Sequence, residues 1–279
     1  EIELIAEDEL SGNEASFLYY SLGSCYLKSE KFIDAIRFLD KAYFFYKGEN
    51  EHVELTGILL RLGMTYGKTG NYSKAIDCLQ ICYDEAMKEN DMVMASNVIN
   101  NLGSVHYSIS NFEKAISSYK QGLKIKREIG DNENLSLIIL NIAKCYLDLQ
   151  NYKNAKDYAI VCLNQLFTYR DDSILGETYV VLGLVHFHKE KFDIAEEYYD
   201  KAISIFEKRG NKEWLIICYE NYALNYINKG NPEKGLEYLR KCEMMIDKHL
   251  EVFREHIYES YSTAYTVLED YKTALEYYQ

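Results

Sequence analysis

The sequence contains one proline, one tryptophan and no surplus of basic charge. With only Pro232, almost nothing interrupts long helices, because proline removes a backbone donor and clashes with the preceding turn. Pro232 follows Asn231 at the expected start of a helix, where proline is tolerated. Thirty-one Lys and Arg against 44 Asp and Glu give a net charge of −13. That argues against a nucleic-acid partner for this segment, since phosphates demand a basic stripe. No apolar run approaches the ~18 residues of a membrane span, and no secretory signal is visible. Phosphate-binding loops, dinucleotide turns, G-x-S-x-G elbows and H-E-x-x-H pairs are all missing. No catalytic residue, metal ligand or cofactor is therefore assigned. His52, His249 and His256 have no partners at metal spacing, and His186 and His188 point apart on a helix.

Seven cysteines are present, an odd number: Cys25, Cys78, Cys82, Cys145, Cys162, Cys218 and Cys242. Cys25 and Cys145 hold one equivalent position of the pattern described below, and Cys82, Cys162 and Cys242 hold another. These read as small buried slots that a thiol fills readily. Reduced thiols and a cytoplasmic setting are expected.

What is abundant is repetition. Gly23, Gly63, Gly103, Ala143, Gly183 and Ala223 follow one another at intervals of 40 residues. Before each stands Leu22, Leu62, Leu102, Ile142, Leu182 or Tyr222, and three residues after each comes Tyr26, Tyr66, His106, Tyr146, His186 or Tyr226. Later positions repeat as well: Ala35, Ala75, Ala115, Ala155, Ala195, Gly235; then Leu39, Leu79, Tyr119, Ala159, Tyr199, Leu239; then Ala42, Cys82, Gly122, Cys162, Ala202, Cys242. Residues three apart share a helix face. The small positions let a second helix lie close to the first. Each helix pair then buries only part of its apolar surface and needs neighbours, which is the logic of a solenoid. In the clearest unit a helix is expected over about 96–108, a break at Ile109-Ser110-Asn111 and a second helix from Phe112. Asn71, Asn111, Asn151 and Asn231 precede second helices and suit a capping role.

Leu-Gly-x-x-Tyr followed by the spaced alanines resembles the tetratricopeptide repeat over about nine-tenths of the chain. The order of these residues argues against HEAT and armadillo repeats, whose period is also near 40. The usual period is ~34 residues, so the units resemble the longer type of kinesin light chains, Pins-type adaptors and bacterial peptide-pheromone receptors. The family's closing proline is missing, and its early bulky residue is Tyr19, Leu59, Ile99, Ile139, Tyr179 or Tyr219. The resemblance implies an all-α fold, a right-handed solenoid of antiparallel helix pairs. A single array is expected, with units at about 16–55, 56–95, 96–135, 136–175, 176–215 and 216–253. A partial seventh covers 254–279, anchored by Tyr258, Tyr261, Ser262, Tyr265, Ala274 and Tyr278, with its period one residue short. Residues 1–15 read as the remainder of a preceding helix or link, and the whole as a piece of a longer polypeptide.

The resemblance also implies where binding would occur. First helices line the concave surface, and the residue before the Leu-Gly pair faces it: Ser21, Arg61, Asn101, Asn141, Val181 and Asn221. An asparagine amide offers a donor and an acceptor to an extended peptide; the competing reading is that these asparagines only bridge neighbouring repeats. Asn100 and Glu220 lie beside this ladder. Tyr107, Lys144, Phe187 and Asn228 are expected one turn later, with Lys28, Lys68 and His188 at a further position. Arg61, Lys68 and Lys144 could receive a partner's carboxylates. His106 and His186 stand where other repeats have Tyr and read as satisfied core imidazoles. The expected function is a non-catalytic protein- or peptide-binding module, the regulatory or sensory part of a bacterial signalling protein, with a homodimeric arm as one arrangement. A pheromone-receptor-type regulator and a free-standing scaffold are the alternatives.

Overall fold

The structure, a computed structural model, describes residues 12–46 and 52–278. They fold into paired α-helices. The chain forms two compact units, residues 1–138 and 139–279.

In the first unit, α1 (Gly12–Lys28) pairs with α2 (Phe32–Tyr46), α3 (His52–Lys68) with α4 (Tyr72–Lys88), and α5 (Met92–Ser108) with α6 (Phe112–Glu128). α2 also packs on α3 and α4 on α5, and α1, α3 and α5 touch in succession. Ala35, Ala75 and Ala115 are completely buried, as the spacing predicts. Across the pairs, Ser16 Oγ donates to the Ala42 carbonyl at 3.1 Å and Cys82 Sγ to the Thr56 carbonyl at 3.2 Å.

In the second unit, α7 (Leu135–Asp148) begins before the boundary and leads to α8 (Tyr152–Thr168). α9 (Asp172–Phe187) pairs with α10 (Phe192–Arg209), α11 (Lys212–Asn228) with α12 (Pro232–Met245), and α13 (Arg254–Val267) with α14 (Tyr271–Tyr278). A short 3-10 turn, Glu251–Phe253, precedes α13. Cys242 Sγ lies 3.5 Å from the Ile216 carbonyl, repeating the Cys82 arrangement.

The link between first and second helix has one geometry throughout. Glu30, Gly70, Ser110, Gln150, Glu190, Gly230 and Glu269 all take positive φ, between 56° and 85°. This left-handed residue lets the next amide bond back to the first helix, as Asn71 N does to the Tyr66 carbonyl at 2.9 Å. The asparagines that follow cap the second helices. Asn71, Asn111, Asn151 and Asn231 accept from the amides of Lys74, Lys114, Asn154 and Lys234. α10 differs, because Lys191 makes no side-chain cap. Lys191→Asn should therefore stabilise the second unit by about 1 kcal/mol, read as a raised denaturant midpoint.

Several expectations are corrected. The first helices begin about four residues before the drawn repeat starts, at Met92, Asp172 and Lys212, because Asp91, Asp171 and Asn211 cap them there. Residues 47–51, where the spacing predicts the link from the first repeat to the second, and most of 1–15 lie outside the described residues. Cys25 is exposed rather than buried, since α1 meets no earlier described helix; Cys82, Cys145, Cys162, Cys218 and Cys242 are buried. Burial pushes the thiols of Cys145 and Cys218 up to about 12, so they resist ionisation. In the last pair Tyr261 and Ala274 are buried, but Tyr278 is exposed and Tyr277 stacks on Tyr261 at 4.7 Å.

His186 is a buried core residue and His106 is half-buried, but neither is satisfied. The Nδ1 of each is buried without a hydrogen-bond partner. Burial holds both imidazoles below their ordinary value, assisted by Lys114 at His106 and by Lys156, Lys191 and Lys189 at His186. The unfolded chain thus takes up these protons first. Their contribution is fully present above the unfolded pKa of 6.5 and is lost as pH falls through the lower folded values. The midpoint of thermal unfolding should drop as pH falls below about 6.5. His106→Tyr/His186→Tyr, which restores the residue of the other repeats, should flatten that slope.

Candidate binding surface on the first helices

Each unit presents its own first-helix surface. In the first unit a cleft of about 240 Å³ opens between α3 and α5. Met64, Gly67, Leu79 and Val105 give it an apolar lining, and Lys68, Asn101, Ser104 and Ser108 are its polar residues. Asn101 Nδ2 donates to the Asn97 carbonyl one turn back, at 2.8 Å. That bond fixes the amide plane and leaves Oδ1 and the second N–H for another partner. Ser104 Oγ lies 3.0 Å from the Tyr119 hydroxyl, and the Lys68 ammonium sits 5.4 Å from the centre of the Phe32 ring. Among the described residues no carboxylate lines this cleft, although the chain carries 44 Asp and Glu.

Asn100, next in sequence, behaves differently. Its Oδ1 is buried without a partner and lies over the bare backbone of Gly122, where an added Cβ would come within 2.3 Å. Arg61 is engaged internally as well. Its Nε donates to the Tyr20 hydroxyl at 2.9 Å, and its guanidinium stands 5.1 Å from that ring centre. Tyr107 packs edge-on against Phe112.

In the second unit Lys144 and Glu177 form an ion pair at 2.6 Å, with side-chain exposures of 26% and 14%. The Lys144 ammonium also stands 5.4 Å from the centre of the Trp214 ring, and Trp214 stacks on Phe206. Asn141 is half-buried one turn before Lys144. Asn221 Nδ2 donates to the Ile217 carbonyl at 2.8 Å, matching Asn101, and Asn228 is bonded likewise to Leu224. Glu220 is drawn into the fold. Ser260 Oγ donates to it at 3.1 Å, and burial raises its carboxyl above the ordinary range. Phe187 packs edge-on against Phe192 and His188.

The structure therefore gathers Asn101 with Lys68, and Lys144 with Glu177 and Trp214. It keeps Arg61, Asn100 and Glu220 in internal contacts. Ser104 and Met64 were not singled out, yet they share with Lys144 the position just after the small residue, so the 40-residue register could have found them. Among the described residues no group of His, Cys, Asp and Glu could hold a metal ion, and no helix is long and apolar enough to cross a membrane.

The tetratricopeptide repeat description matches residues 54–128 and 175–245, just over half of the chain. The chain belongs to the tetratricopeptide-repeat family. Its all-α solenoid of helix pairs is the fold of that family, and solved relatives share it. The chain is similar to aspartyl phosphate phosphatase F from Bacillus subtilis, with a TM-score of 0.78 at 17% identity, covering 98% of this chain and 70% of that one. It is also similar to a Rap protein complexed with Competence and Sporulation Factor. There the TM-score is 0.70 at 18% identity, over 99% and 76% of the two chains. In sequence, 96 residues are 27% identical to response regulator aspartate phosphatase I of Bacillus subtilis strain 168. That match spans 34% of this tetratricopeptide-repeat chain and about a quarter (24%) of the relative.

Proposed function

We propose that this chain is a peptide-binding module of a bacterial signalling protein, working in the cytoplasm, with no chemistry of its own. A short extended segment lies on the first helices, seats an apolar side chain in the α3–α5 cleft and takes hydrogen bonds from Asn101. The observation that carries this reading is the cleft itself. Its apolar lining is of side-chain size, and the Asn101 amide held by the Asn97 carbonyl is among its polar residues. A similar solved structure, the Rap conjugation gene regulator of plasmid pLS20 in complex with the Phr* peptide, supports the peptide class. The narrower form, a pheromone-receptor-type regulator, rests on that likeness and on the sequence match to a response regulator aspartate phosphatase.

An array of short peptides finds a ligand, and calorimetry measures its affinity. Asn101→Ala should weaken binding roughly tenfold, the worth of a hydrogen bond of about 1.4 kcal/mol. Unchanged affinity in that variant, or an array with no binder, sinks the reading.

A further inference from the structure

We propose that Glu177 and Trp214 form a subsite for a positively charged side chain of a bound peptide, and that Lys144 fills it while the protein is empty. The inference rests on the peptide-binding reading and names what one part of the ligand must carry.

Three first helices contribute, α7 with Lys144, α9 with Glu177 and α11 with Trp214. The ammonium is 2.6 Å from Glu177 Oε2 and 5.4 Å from the indole centre. A carboxylate next to an aromatic ring is the chemistry that receives a cation. Glu177 is only 14% exposed, so it has surrendered most of its water and requires a positive partner. Trp214 is held by its near-parallel stack on Phe206, 9° between planes, so its ring waits in a fixed orientation.

Lys144 suits a temporary occupant. It stands at the position that Met64 and Ser104 hold in the first unit, where both line the cleft. The subsite therefore holds, in the second unit, the register position that lines the cleft in the first. Lysine is a single charge on a flexible four-carbon arm, free to swing into water. A ligand arginine would do better in the same place, because its planar fork meets a carboxylate with two hydrogen bonds and stacks on an indole. The net charge of −13 draws such a ligand in.

Trp214 is the chain's one tryptophan, so its fluorescence reports this site and no other. The probe is acetyl-arginine-amide, titrated against the full chain, with acetyl-glutamine-amide as the uncharged control. In Lys144→Met the arginine probe should shift Trp214 emission and bind roughly tenfold tighter than in the parent. The gain should vanish in Lys144→Met/Glu177→Gln. If Lys144→Met melts early, Lys144→Gln still donates to Glu177 and should show the same order of affinities. On the peptide array, Lys144→Met should select arginine-bearing sequences more strongly than the parent. Equal response to the two probes in these variants, or a gain that survives loss of the Glu177 charge, overturns the subsite. A peptide that binds through Asn101 without preference for arginine would leave the peptide-binding reading standing while this one falls.

Discussion

Gly183→Ala should cost the second unit about 2–3 kcal/mol, although alanine is the better helix former by about 1 kcal/mol. A Cβ at residue 183 would stand 2.3 Å from the ring of Tyr199. That ring has no room to retreat. Tyr199 is completely buried, and the Tyr222 ring lies 6.1 Å away. The same pairing of a bare backbone and a large side chain occurs at Gly103 with Tyr119 and at Gly63 with Leu79. Where the second helix carries Ala159, the first carries Ala143, and Ala223 faces Leu239. The repeats thus trade volume between these two positions. Gly183→Ala/Tyr199→Leu, which copies the sixth repeat, should recover most of the loss, since the Tyr199 hydroxyl has no partner to forfeit. Gly67→Ala is the control. Its Cβ would meet Val105 at an ordinary 3.4 Å, so the change should be neutral or stabilising. Chemical denaturation of the three variants checks the order.

That trade explains why the fold was legible. Small and large residues at constant spacing state which helices touch, and the turns carry their own mark in Gly70-Asn71 and Gly230-Asn231. Where the mark is absent, as at Glu190-Lys191, the surrounding period still places the break. Helix starts were less legible. Asp91 accepts one backbone hydrogen bond and Asp171 two, ahead of the drawn repeat starts, and these caps leave no trace in the volume pattern.

The binding surface was only partly legible, for a different reason. Register places Asn100 and Asn101 on adjacent faces, but it does not say that Gly122 opens a space into which Asn100 turns. Arg61 reads as a free cation until Tyr20, 41 residues earlier, is seen to accept from it. Glu177 gave no signal at all. Its counterparts are Gly57, Asn97, Leu137 and Ile217, so nothing at that position repeats. Scaffold positions recur because every repeat solves the same packing problem. A ligand differs along its length, and the residues facing it have no cause to recur.

Phe206→Ala should be more damaging than any change on the first-helix surface, at about 3–5 kcal/mol. The ring is completely buried, rests where Gly176 has no side chain, and stacks on Trp214 with centres 5.4 Å apart. Removing it leaves a cavity bordered by Val180, Leu215 and Cys218 that their helices cannot close without leaving their own neighbours. In a repeat array each helix pair is held mainly by the pairs on either side, so the loss should be local. Hydrogen exchange should quicken across α9, α10 and α11 and remain slow in α3 to α6. Trp214 should lose its fixed orientation, and its emission should move to the red as water reaches the indole. Gly176→Val added to Phe206→Ala puts carbon back into the space from the opposite helix and should return part of the stability. Uniform loss of protection along the chain would contradict the nearest-neighbour account. It would mean instead that the helix pairs unfold as one cooperative body.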